Sequence, residues 1–139
     1  MYVMRGAIFA VVLLSVGCSS GPDGRVEGPL LTSTGSANGG MAAIVAGPFT
    51  FRNGCLLLSG KPVVWPESTT WDAEREVLTL PNGDAASVGE SLTGGGGFLD
   101  LSAVADQFGG NLADAAKRCL GSTGEVAVFN PGSDVEIES

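Results

Sequence analysis

The sequence predicts a mainly β protein with one or two short helices, folded as a small barrel or rolled antiparallel sheet. Three observations predict it. Short apolar runs recur at close spacing, divided by tight-turn signals such as Asn53-Gly54 and Pro81-Asn82-Gly83. The chain holds 22 glycines and only 6% aromatic residues, the balance of a turn-rich β protein. The apolar period changes once, from two to that of a helix, between Asp100 and Leu120. At 139 residues there is room for one such domain, and no internal repeat is present.

Taken in order, the chain begins with a segment that is not part of the domain. Met1–Arg5 is basic, Ala7–Leu14 is an unbroken apolar run, and Gly17 precedes Cys18. A membrane span needs about 20 apolar residues, and this run is shorter. A basic start, a brief apolar middle and a small residue before the cut have the form of an export signal. With Leu14-Ser15-Val16-Gly17-Cys18, the first 20 residues resemble the signal of bacterial lipobox lipoproteins. Ser15 stands where that class usually has leucine, which lies one place earlier at Leu14. The resemblance implies cleavage after residue 17 and a diacylglyceryl group with palmitate-type chains on the sulfur of Cys18. It implies a protein held by lipid on the extracytoplasmic face of the cell membrane. Each buried methylene is worth about 0.8 kcal/mol, so two or three chains on one cysteine anchor a protein stably.

Residues 18–41 read as a flexible tether. Gly21-Pro22-Asp23-Gly24, Gly28-Pro29 and the Ser/Thr/Gly run at 32–40 offer little to bury, and Leu30-Leu31 is the one apolar pair. Such a spacer reaches about 25 Å.

Residues 42–131 carry the domain. Met41–Ala46 and Phe49–Arg52 read as strands interrupted by Gly47-Pro48, because proline donates nothing to a ladder. Cys55–Leu58, apolar on both faces, reads as a central strand, and Val63–Trp65 returns from the turn at Ser59–Pro62. Glu67–Arg75 has no regular pattern. Glu76–Leu80, Ala85–Val88 and Ser91–Thr93 read as further strands, and the glycine run Gly94–Gly97 as a turn or a sheet bend where backbones pass closely. Leu101, Val104, Ala105 and Phe108 mark one helical face, with Asp100 as N-cap and Gly109-Gly110 as stop. Leu112, Ala115, Ala116, Cys119 and Leu120 repeat the pattern behind Asn111. Glu125–Phe129 closes the domain, and residues 132–139 read as a frayed acidic tail.

With Cys18 acylated, two cysteines remain. An even pair in an exported chain usually bonds, which predicts a Cys55–Cys119 disulfide. As a reactive thiol either makes a poor case, since no histidine exists to activate it and only Lys117 and Arg118 lie near Cys119. Gly54-Cys55-Leu56, Val63-Val64-Trp65-Pro66, Pro81-Asn82-Gly83, Val88-Gly89-Glu90, Gly95–Gly97 and the late Cys119 are similar to a group of small, uncharacterised β-rich envelope lipoprotein domains. That resemblance implies a location and a fold, and no activity. The helical stretch at 100–120 departs from it.

Function classes narrow by exclusion. Seven basic and fifteen acidic residues leave a net charge of −8, with no footprint for nucleic acid. Without histidine there is no Ser-His-Asp triad and no His-Cys metal site. The glycine run lacks the Lys-Ser/Thr of a phosphate loop. No cofactor is indicated. Glu67, Asp72, Glu74 and Glu76 form the one carboxylate cluster, which suggests either a solvated acidic loop or a small hydrolase working through Glu67 and Asp72. Trp65 and Trp71, either side of Pro66, would offer a ligand surface for a glycan or peptide if exposed together, and two core residues if buried. The reading that results is a non-enzymatic binding or structural module of the cell envelope, with an envelope protein or glycan as partner. The alternative is the hydrolase.

Overall fold

The computed structural model describes residues 24–34 and 40–138. Two tight turns set its centre. Asn53, Gly54, Ser59 and Gly60 all have positive φ (51°, 77°, 51° and 78°), the backbone of primed hairpin turns. They fold β3 (Ala43–Arg52), β4 (Cys55–Leu58) and β5 (Lys61–Trp65) into a meander. Here β3 is one strand, not two. Its residues 43–48 pair with β9 (Ser91–Leu99) and its residues 49–52 pair with β4, so Gly47-Pro48 marks a change of partner rather than a break. Gly47 makes that bend at φ 145°, where a Cβ would strike the Ser59 hydroxyl.

The last barrel strand, β10 (Val126–Phe129), lies antiparallel to β9 and parallel to β5. The circuit β5–β10–β9–β3–β4 returns to β5 and closes a five-stranded barrel. Along the chain these are the first to fifth barrel strands, arranged first, second, third, fifth, fourth, as in OB-type Greek-key barrels. The fold class is therefore mainly β with two short helices. Of the two expectations for Gly94–Gly97, a turn or a sheet segment where backbones pass closely, the second holds: they sit inside β9. A Cβ on Gly96 would strike the Val128 carbonyl, and one on Gly94 would lie 2.9 Å from the Phe129 ring. Glycine is what lets β10 approach.

Between β5 and β9 the chain forms a second sheet of three strands, β6 (Thr70–Asp72), β7 (Val77–Thr79) and β8 (Ala85–Ser87). Thr70–Asp72 is a strand where the sequence pattern suggests no regular element. Its pairing partner, β7, lies beyond an irregular turn in which the Asp72 carboxylate accepts from the backbone N–H of Glu74 and Arg75 (3.0 and 3.1 Å).

Two helices follow β9. In α1 (Leu101–Phe108) the Asp100 carboxylate accepts from Ala103 N–H at 2.8 Å, the expected N-cap. Gly109, at φ 91°, ends α1 and begins α2 (Gly110–Lys117), so Asn111 lies inside the helix and caps nothing. Cys119 falls just past the end of α2.

Two expectations about the chain ends are corrected. Part of the tether at 18–41 is structure: β1 (Gly24–Glu27) and β2 (Leu30–Ser33) form a hairpin, and β2 adds in parallel to the second half of β5. Leu30, Leu31, Thr32 and Ser33 are all buried. Local composition does not reveal this, because the partner strand lies more than 30 residues away. The acidic tail at 132–139 is likewise not frayed throughout. Val135 is buried, and β11 (Glu136–Glu138) pairs with Thr93, Leu92 and Ser91 of β9.

Alternation along the strands sorts side chains into two cores. Val63 and Trp65 of β5, Ala127 and Phe129 of β10, and Leu30 of β2 join Val45, Phe49, Leu58 and Leu92 inside the barrel, with Leu78, Leu80 and Ala86 of the three-stranded sheet packed on. Val64, Val126, Val128 and Leu31 face the other way. They are covered by Val104 of α1 and Leu112, Ala113, Ala115 and Ala116 of α2.

Candidate functional site

The strands deliver three loops to one place, where they enclose a groove of ≈ 440 Å³. Pro66, Glu67 and Ser68 come from the connection after β5, Pro81 and Asn82 from the turn after β7, and Pro131–Asp134 from the connection between β10 and β11. The volume lies within the range of small-ligand sites, about 300–1,000 Å³. Each loop is held from behind. Thr69 is buried, and its hydroxyl donates to the Pro66 carbonyl at 2.7 Å, closing a turn that leaves Ser68 at φ 75°. The Asn82 amide donates to an Asp84 carboxylate oxygen (3.1 Å) and to the Val135 carbonyl (3.5 Å), and its own oxygen accepts from Asp84 N–H (2.9 Å). Ser133 N–H and hydroxyl both donate to the Asn130 carbonyl, at 3.0 and 2.8 Å. Asn130 in turn exchanges two hydrogen bonds with the backbone of Met41, at 2.9 and 2.8 Å. Proline rings, one per loop, add walls with little freedom to lose on binding.

The charge of this groove has one sign. Glu67 and Asp134 line it, both exposed, with no lysine or arginine among the lining residues. Asp84 stands behind Asn82. The two carboxylates belong to loops 67 residues apart, so nothing local in the sequence pairs them. In the sequence Asp134 is distinguished only by its place in an acidic end segment.

Other expected site residues lie elsewhere. Asp72 is on β6, engaged with its own turn and 4.0 Å from Arg75, and does not line the groove with Glu67. Glu67 and Asp72 therefore do not share this groove. Trp65 is 0% exposed, its ring between Phe49 and Phe129 at centroid distances of 5.8 and 5.4 Å. Trp71 is half-buried against Phe49 and Phe51 at 5.9 and 5.1 Å. They share no exposed platform, because β5 points Trp65 into the barrel. Both indole N–H groups are buried without a protein acceptor among the described residues. Ring burial outweighs that cost, which is about 1–3 kcal/mol per orphaned group.

Cys55 and Cys119 are joined as a disulfide, Cα to Cα 5.8 Å. It ties β4 of the barrel to the end of α2. Both cysteines line a second, smaller cavity of ≈ 230 Å³, between the turns at Gly28-Pro29 and Asn53-Gly54 and the exposed Arg118. Cys18 lies outside the described residues. Among those described, no helix is long and apolar enough to cross a membrane, and no group of three or more Cys, Asp or Glu side chains is placed to hold a metal ion.

Comparison of the chain with protein families, with characterised proteins and with solved structures found no match.

Proposed function

We propose that this protein is a lipid-anchored, extracytoplasmic binding module of the cell envelope, without catalytic activity, which takes its ligand in the proline-walled groove. The groove carries the reading: three loops, each braced by its own hydrogen bonds, converge on one concavity whose charged lining residues are Glu67 and Asp134. That lining disfavours anionic ligands and suits a cationic or uncharged polar one, such as a basic peptide segment or a glycan. The strand order assigns no activity by itself. Export is supported by the form of residues 1–17 and by a disulfide in the folded domain, a bond that persists in oxidising compartments.

Two measurements test it. Intact mass of protein taken from its native membrane is expected to start at residue 18 and to carry acyl mass on Cys18. An unmodified chain, or one starting elsewhere, removes the anchor. A backbone NMR titration with a lysine-rich peptide and with neutral glycan fragments is expected to shift resonances of Glu67, Asn82 and Asp134 in a saturable way with one of them. Shifts that are absent, or unchanged in Glu67→Gln and Asp134→Asn, remove the groove.

A second reading has one observation in its favour. A pair of carboxylates facing one cleft is the arrangement glycoside hydrolysis uses, and Glu67 and Asp134 face one. The groove's open, hydrated carboxylates favour binding, since such chemistry gains from excluding water. Turnover of a glycan fragment by the native chain, lost in Glu67→Gln, would reverse the order of the two readings.

A further inference from the structure

The groove leaves the second cavity unexplained, and its wall is unusual for a structural disulfide. Buried, inert disulfides are sealed by packing, whereas here both cysteines face a concavity. Cys55 is 8% exposed and Cys119, in the turn beyond α2, is half-buried. The exposed guanidinium-bearing Arg118 lines the same cavity, and Lys117 precedes it. Such cations favour a thiolate, both an arriving one and one being released.

We propose that the Cys55–Cys119 bond is a thiol-exchange site in the folded protein, opened by a dithiol that enters this cavity. The inference does not depend on the groove. The dithiol's thiolate attacks Sγ of Cys119, which belongs to the more exposed of the two residues. A new S–S bond forms there as the Cys119–Cys55 bond breaks, and the electron pair leaves on Sγ of Cys55, which takes a proton from solvent. The second thiol of the same dithiol then loses its proton and attacks its partner sulfur in the mixed disulfide. Cys119 leaves as thiolate and is protonated. The dithiol ends as a disulfide and the protein as two thiols, a balanced transfer of two electrons and two protons.

The structural consequence is local. The bond closes a loop between residues 64 apart, but the barrel is closed independently by its own ladder. Opening it leaves α2 held by Leu112, Ala113, Ala115 and Ala116 on the outer core, with Leu120 packed against it, and removes the covalent tie from Cys119 to β4. Exchange therefore loosens the helical cover while the barrel stays closed.

The test uses the exported, oxidised protein without denaturant. Dithiothreitol is added over a range of concentrations, free thiols are trapped by alkylation, and mass spectrometry follows Cys55 and Cys119. The expected rate rises linearly with dithiol and is unmoved by urea below the unfolding transition. Arg118→Gln is expected to slow it several-fold, with the difference shrinking in high salt. After reduction, amide exchange is expected to accelerate in α2 and residues 118–124 while β3 and β9 keep their protection. A rate that saturates with dithiol at the separately measured unfolding rate overturns the proposal, because the bond would then open only in unfolded molecules. Loss of protection in β3 and β9 on reduction overturns the local consequence. An unchanged rate in Arg118→Gln removes Arg118 from the site.

Discussion

The two cores of this molecule differ in what encloses them. The inner one is walled by a barrel whose strands pair all the way round, and it is filled by Trp65, Phe49 and Phe129 with leucines and valines about them. The outer one has a sheet on one side and two eight-residue helices on the other, and its buried side chains are smaller: Val64, Val104, Val126, Val128, Leu31, Leu112 and three alanines. Isolated helices of that length are marginal in water. The outer cover holds through burial and through the bond from Cys119 to β4. One strand can serve both regions: in Val63–Trp65 of β5 and throughout β10, successive residues face opposite cores, so these positions are all apolar. The lesson is that a closed ladder supports a core by itself, while a lid of short helices needs a staple.

Substitutions separate the two regions, and the largest effect belongs to the inner core. Trp65→Ala removes the largest fully buried side chain and is expected to cost about 5 kcal/mol, the upper part of the range for such truncations. Against a total stability of about 5–15 kcal/mol, urea melts followed by circular dichroism should show the whole domain unfolding early or not folding. An inner-core cost below that of the outer-core variants would contradict the ranking.

Replacing both Cys55 and Cys119 by serine is expected to cost about 4 kcal/mol, from the entropy a loop of this length returns to the unfolded chain. The variant should still fold, with a lower urea midpoint, and the helices should exchange amide hydrogens faster than the barrel. Uniform acceleration would show one cooperative unit where two regions are described here.

Leu112→Ala, in the outer core, is expected to cost about 3 kcal/mol. Hydrogen exchange should place the loss in α1, α2 and the β1–β2 hairpin and spare β3 and β9. Pairing it with Leu31→Ala sharpens the comparison. Both side chains belong to the same core, so their effects should be non-additive, whereas Leu30→Ala, one residue away but inside the barrel, should add to Leu112→Ala.

The smallest effect is at the helix entry. Asp100→Ala deletes the cap that receives Ala103 N–H and should cost about 1 kcal/mol, with Asp100→Asn recovering most of it. A thermal melt of the three proteins side by side checks the order.

What the sequence by itself determined was whatever depends on neighbours along the chain. Asn53-Gly54 is a turn because positive φ suits both residues, Gly60 supplies it in the next turn, and Asp100 caps α1 because its carboxylate reaches three residues ahead. The pairing of Cys55 with Cys119 was legible by count, since acylation of Cys18 would leave only those two. Apart from that pair, tertiary structure decided what depends on distant partners. Leu30-Leu31 reads as an incident in a spacer until β5 is seen beside it, and whether Gly94–Gly97 is a turn or a sheet segment with backbones close together is decided only when β10 is seen pressed against it. Trp65 and Trp71, six residues apart, both pack their rings on Phe49 and leave no exposed platform, while Glu67 and Asp134 are distant yet share a groove. The reason is physical: turns and caps are local hydrogen-bond and steric choices, whereas burial and concavity arise only when the sheet closes and brings separate loops together.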